Sequence, residues 1–143
     1  MPQVSSYGFE AVAATLDGQP VSGFWEGDDA LVVTRRDDIG TEVVGADASF
    51  LFSQNMSRAA TITLRLMHTS PTHRLLLQKE KRQRALAGGR GFPFDMKDKS
   101  SGEGGSTASA FIKTGPDNSK GRNAAVRVWV LVCGDWNEMI PNV

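Results

Sequence analysis

His68 and His73 are the first side chains whose type could support chemistry, as a metal pair or a proton relay. Two metal ligands on one helix face need a spacing of three or four, and these stand five apart across a strand-to-helix turn. No cysteine or carboxylate cluster joins them, so both are expected to be structural. Gly102, Gly104 and Gly105 resemble a phosphate-cradling loop, but Thr107 breaks the Gly-x-Gly-x-x-Gly pattern and no helix pattern follows. Gly115 to Lys120 has the wrong spacing for a P-loop and lacks Gly-Lys-Ser/Thr. Gly89-Arg90-Gly91 is too short for a nucleic-acid-binding tract. The carboxylate pairs Asp28-Asp29 and Asp37-Asp38 lie in charged, exposed-looking segments, whereas general acid–base work needs a carboxylate in a desolvated pocket. Cys133 is the one cysteine and lies in an apolar run, which suits a small buried hydrophobe. No enzyme, no cofactor and no metal site is expected.

The elements that would carry these residues are mostly strands. Tyr7, Phe9 and Ala11 alternate with polar or small residues, which predicts a strand over 6–16. Asp17-Gly18 is a hairpin turn, with a return strand from Pro20 to Trp25. Residues 30–34 form an apolar run between the charged ends Gly27-Asp28-Asp29 and Arg35-Arg36-Asp37-Asp38, so 26–38 is expected to project as a charged hairpin. Residues 41–52 hold Val43, Val44, Phe50 and Phe52 around the turn-like Gly45-Ala46-Asp47. Over 57–68, Ala60, Ile62, Leu64 and Leu66 face one way while Thr61, Thr63 and Arg65 face the other, a half-buried strand. Ser70 suits a helix N-cap and Pro71 the first turn, and the helix is expected over about 71–86 with a stop at Gly88-Gly89. Phe92, Phe94 and Met96 alternate, 99–107 reads as a flexible loop, Phe111 and Ile112 lie in a strand over 108–114, and 115–123 is another loop. Residues 126–133 are apolar on both faces and read as a central strand. The predicted architecture is mainly β: two packed antiparallel sheets, or a closed barrel, with one flanking helix.

At 143 residues the chain makes one domain, 1–143, with a C-terminal tail at 134–143. Sixteen basic and sixteen acidic side chains cancel, which excludes a strongly basic nucleic-acid binder and a strongly acidic solvating protein. The cancellation hides a segregation. Residues 1–50 hold nine acids against Arg35 and Arg36, a net of −7. Residues 51–90 hold eight bases against Glu80, a net of +7, and 91–143 hold six of each. Either the two signs meet inside one folded domain, or they lie on different surfaces and join copies head to tail. No basic start precedes an apolar stretch at the N-terminus, and the longest apolar run, Val128–Cys133, is too short to span a bilayer. Synthesis in the cytosol without a cleavable signal, and no membrane insertion, are expected.

The candidate functional residues are therefore surface ones. Leu75, Leu76 and Leu86 define the apolar stripe of the helix, and its continuation is Lys79 and Arg82. The cations Lys79, Lys81, Arg82 and Arg84 partly serve the negative C-terminal end of the helix dipole, and their number also fits a partner contact. Asp28, Asp29, Arg35, Arg36, Asp37 and Asp38 on the expected hairpin are the opposing candidates for a subunit interface. Trp136, in the polar tail, is the candidate exposed aromatic anchor.

The ordered set of segments resembles a known family. The strand Ala60-Thr61-Ile62-Thr63-Leu64-Arg65-Leu66 running through Thr69-Ser70-Pro71 into the helix, the charged Arg35-Arg36-Asp37-Asp38, the turn Gly45-Ala46-Asp47 and the strand Val126 to Val130 are similar to tail tube proteins of contractile-tailed bacteriophages. The resemblance covers residues 7–133. It departs from the pattern at Ala48, where a glycine is expected, in the 99–107 loop and in the tail from Cys133. It implies a β-sandwich subunit with a flanking helix that forms stacked, hexameric rings, the hollow inner tube through which a genome leaves. Type VI secretion and pyocin tube proteins share that design. It further implies a virion tail location after assembly in the bacterial host cytoplasm. The implied partners are tail sheath, tape measure, baseplate hub and tail terminator proteins, with DNA passing the lumen unbound. The alternative is a baseplate or tail-completion module of similar fold that does not polymerise alone.

Overall fold

The computed structural model describes residues 2–86 and 89–142. Phe9–Ala11 is a single 3-10 turn, so the first strand, β1 (Val12–Leu16), starts later than its alternation predicts. β1 reverses through Asp17-Gly18 into β2 (Gln19–Pro20). Asp17 at φ +52° and Gly18 at φ +79° are both left-handed, as a two-residue hairpin loop requires to match strand twist. The return strand is only two residues long, with one further bridge between Phe24 and Leu66. Between them Gly23 turns the chain at φ +75°, and a Cβ there would also sit 2.6 Å from that of Ser70.

The remaining elements are β3 (Leu31–Arg35), β4 (Gly40–Val44), β5 (Phe50–Gln54), β6 (Ala60–Leu66), α1 (Pro71–Ala85), β7 (Phe92–Asp98), β8 (Gly104–Thr114), β9 (Arg127–Cys133) and β10 (Asn137–Met139). An antiparallel path runs β2-β1-β7-β8-β9-β6-β3, with β10 joined to β8. The eleven-residue β8 is shared by two halves of this sheet. Its residues 104–107 lie against β7, with 104–106 also paired to β10, residues 110–114 lie against β9, and Ala110 pairs with both Phe92 of β7 and Cys133 of β9. Register shifts at Phe92/Phe94 and Ile112/Thr114 bend the sheet there, as bulges do. The result is sandwich-like, and among the described strands no pairing closes it into a barrel. Leu16 and Phe94 from one half meet Ile62, Leu64, Trp129 and Leu131 from the other in one buried cluster. β6 alternates buried and half-buried at every residue, as its period of two predicts. β9 is central, as expected, but buries one face only: Arg127, Trp129, Leu131 and Cys133.

Helix α1 begins as the sequence predicts. Ser70 Oγ accepts from the backbone N–H groups of Thr72 and His73, and Pro71 occupies the first turn. The same Oγ donates to the Ser22 carbonyl, and Thr72 Oγ1 accepts from Ser22 N–H at 3.0 Å, so the cap also docks the helix on the 20–23 segment. Leu76 is fully buried and Leu75 packs beside it, but Leu86 is exposed, because the helix ends at Ala85 and the leucine lies beyond it. Of the expected stop at Gly88-Gly89, Gly88 lies outside the described residues.

Two expected loops or tails are regular structure instead. Gly104 to Thr107 open β8, where glycine is required: a Cβ on Gly104 would collide with the Met96 carbonyl, and one on Gly105 would lie 2.5 Å from the Trp136 ring. The tail at 134–143 contributes β10. No helix among the described residues is long and apolar enough to cross a membrane.

Candidate assembly surfaces

The segment that stands away from the body is not 26–38. Residues 31–35 are β3, the edge strand paired to β6, because Leu31, Val32 and Val33 have a sheet face to cover. The projecting element is the next one. After Arg35 the β3–β6 pairing continues through Arg36 N–H to the Ala59 carbonyl, Ser57 Oγ to the Asp37 carboxylate at 2.7 Å, and Asn55 N–H to the Ile39 carbonyl. Strands β4 and β5 then pair only with each other, from Gly40–Gln54 to Val44–Phe50. At about 3.3 Å per residue the hairpin reaches up to about 30 Å beyond the main sheet. Its tip is held by Gly45 N–H to the Ser49 carbonyl at 2.7 Å and by Asp47 Oδ1, which accepts from Ser49 N–H. Hydrogen bonds from the Ser49 side chain and backbone hold the Asp47 carboxyl below its ordinary range. Ala48 occupies the left-handed region at φ +69°, the place where the family pattern calls for glycine.

This hairpin carries Ile39, Val43, Val44, Phe50, Leu51 and Phe52, each between 51% and 67% exposed. In a strand, successive side chains point to opposite faces. Val44, Phe50 and Phe52 therefore share one face, while Val43 and Leu51 share the other, and both faces are apolar. An isolated two-stranded hairpin is marginal in water, and an apolar patch of this size marks a contact surface. The sequence signal was present in the contiguous Val43-Val44 and Phe50-Leu51-Phe52. Such runs mark a strand covered on both sides without saying whether the cover comes from the same chain.

The edge strand β3 offers its outer backbone groups to any strand laid beside it. The opposite edge, β2, is two residues long and holds Pro20, which donates no hydrogen bond.

The predicted charged residues divide between internal and free. Asp29 pairs with Arg65 at 3.1 Å, and Lys79, only 11% exposed, pairs with Asp17 while lying over the Phe92 ring. Acidic and basic thirds of the chain thus do meet inside the domain at these two points. Arg84 pairs with Glu80 one turn back, Arg35 with Glu138, and Asp37 accepts from Ser57. Asp28, Arg36, Asp38, Lys81 and Arg82 make no ion pair among the described residues. Trp136 is not an exposed anchor. It is 5% exposed, packed on Gly105 and Phe94, with Nε1 donating to Glu138, because β10 returns the tail to β8.

His68 lies in the turn after β6 and His73 in the first turn of α1. His73 Nδ1 accepts from Trp129 Nε1 at 3.0 Å. Burial first, then the charges of Arg127, His68 and Lys120, hold the His73 imidazole below its ordinary value. Arg127, which the sequence did not single out, is 3% exposed and donates to the carbonyls of Ser119, Ala125 and Val126, pinning the loop before β9. Among the described residues no group of three or more His, Cys, Asp or Glu is placed to hold a metal ion.

A family model for the bacteriophage PhiTE tail tube protein matches residues 4–141. The chain belongs to the PhiTE tail tube protein family. As a tail tube family member it is a structural tail component of a virion. No curated protein sequence matches it. Its fold is similar to that of the anti-feeding prophage cap, described as a tube-terminating cap, at TM-score 0.63 and 13% identity over 97% of this chain and 94% of that one. It is also similar to a chain from the sheath/tube terminator of the PVC extracellular contractile injection system (TM-score 0.62, 12% identity, 96% and 99% covered). A third likeness is to a chain from the PVC sheath-tube complex (TM-score 0.61, 11% identity, 90% and 87% covered). At these identities the likeness is one of fold, and the tail tube assignment rests on the family match.

Proposed function

We propose that this chain is the subunit of the inner tube of a contractile phage tail. Six copies make a ring, rings stack into a hollow tube, and the genome passes through the lumen at ejection. The observation that carries this reading is the β4–β5 hairpin, which exposes apolar side chains on both faces beyond the body of the domain. A one-faced patch needs one partner, whereas a two-faced blade is covered by a cleft or by two neighbours. Burying its six apolar side chains is worth on the order of 10 kcal/mol before the cost of association. The free edge of β3 and the blocked edge of β2 support joining copies through unlike surfaces, the arrangement that gives rings and filaments.

In this reading the chain acts by shape and self-association, without catalysis or cofactor. Its partners are its own copies, the tail sheath, the tape measure, the baseplate hub and the tail terminator. It assembles in the bacterial host cytoplasm, and DNA passes without specific binding, since the balanced charge of the chain offers no excess of cations for phosphate. Negative-stain electron microscopy of the purified protein tests it. Rings or tubes are expected, and a particle that stays monomeric over a wide range of concentration and salt supports the non-polymerising completion module instead.

A further inference from the structure

Two oppositely charged features flank the same end of β6. Leu66, its last residue, pairs with Arg127 on one side and bridges to Phe24 on the other. Loop 115–126 therefore lies on the β9 flank, and loop 25–30 lies on the β3 flank. On the β9 flank two adjoining hollows of about 210 and 260 Å³ share His68, Lys120 and Arg127 in their walls. His73 lines one and Arg122 the other, and Asp117 is the single carboxylate. The buried Arg127 guanidinium donates to carbonyls and has no carboxylate partner among the described residues. Burial is the main cause of the lowered His73 pKa, and the charges of Arg127 and Lys120 push it the same way, in keeping with a positive field at this hollow. On the β3 flank, Glu26 and Asp28 are exposed and make no ion pair among the described residues, while Asp29 is tied to Arg65 and fixes the loop against β6.

We infer that the Glu26–Asp28 loop of one copy docks into the basic hollow formed by His68, Lys120, Arg122 and Arg127 of the next copy around the ring. The inference rests on the ring reading above. A second copy generated by rotation about an axis roughly along the strands keeps the same height. Both features lie at the same end of β6, so acid on one copy and base on the next stand at one level with no vertical offset. The contact is heterologous, as closure into a ring requires, and it differs from the expected pairing of the acidic segment with Lys79 to Arg84. Lys79 is already occupied by Asp17. Complementary charge of this kind fixes register and disfavours wrong partners, since like charges placed together are strongly repelled.

The test uses the full chain in four forms: wild type, E26K/D28K, K120E/R122E, and all four substitutions together. Sedimentation velocity over a range of protein concentration gives assembly, and thermal melting confirms that each form is folded. The wild type is expected to assemble. Each double variant is expected to need about tenfold or more protein for half-assembly, and the fourfold variant, with its charges exchanged, to recover. An equimolar mixture of the two doubles is expected to assemble as well, because each loop then finds an opposite hollow on the other species. Folded doubles that assemble like wild type, or a folded fourfold variant that does not recover, overturn the pairing alone. A wild type that stays monomeric overturns the ring reading and the pairing with it.

Discussion

Trp129 and His73, fifty-six residues apart, join the central strand to the first turn of the helix through one hydrogen bond, indole Nε1 to imidazole Nδ1 at 3.0 Å. The bond exists only while Nδ1 keeps its lone pair. Protonation would turn the acceptor into a donor facing the indole N–H, within reach of Arg127, His68 and Lys120, with Asp117 the one acid lining that hollow.

The pH dependence follows. Burial and neighbouring cations place the folded His73 pKa below its ordinary value of 6.5, so the folded chain binds fewer protons than the unfolded one beneath that value. The contribution to stability is full above about pH 6.5 and is lost as pH falls toward the folded pKa. Melting temperature is expected to fall between about pH 7.5 and about pH 5.5, with a shallower slope in His73→Gln. An equal slope in both would remove His73 as the source.

Gln83 closes the irregularity in β8. Its Nε2 donates to the Ile112 carbonyl at 2.9 Å, and its Oε1 accepts from Ile112 N–H at 3.0 Å. Gln83→Ala strands both backbone groups, and urea denaturation is expected to show a loss of about 1–3 kcal/mol. Gln83→Glu keeps the acceptor only and is expected to lose part of that.

Trp136 tests which surfaces are internal. Because it packs on Gly105 and Phe94, Trp136→Ala is expected to cost about 3–5 kcal/mol in the monomer. A monomer of unchanged stability would return Trp136 to the role of an interface residue.

These residues also show what a sequence can disclose. β6, the Asp17-Gly18 hairpin and the Ser70-Pro71 helix start are local: a period of two, two turn residues and a cap each fix their own geometry. Trp136 was misplaced because a polar neighbourhood says nothing about a strand returning to pair with β8. Arg127 was not singled out because its use is to hold the carbonyls of a preceding loop, a contact without periodicity. The hairpin was visible as apolar runs, but the exposure of both faces depends on what surrounds it in the assembly.

Ala48 strains the hairpin tip, since an L side chain at φ +69° costs about 1–2 kcal/mol. Ala48→Gly is expected to slow amide exchange at Gly45 and at position 48, whose N–H groups close the turn, and to leave the global melting temperature unchanged. Unchanged exchange would show that the tip is unstrained.

If the two-faced hairpin drives assembly, F50S/F52S separates from wild type in sedimentation velocity and in negative-stain images. Wild type is expected to form rings about 100 Å across, or tubes. F50S/F52S is expected to keep its stability within about 0.5 kcal/mol of wild type, as exposed positions do, yet to stay monomeric. A folded F50S/F52S that still forms rings and tubes at wild-type concentrations would show that the hairpin does not drive assembly.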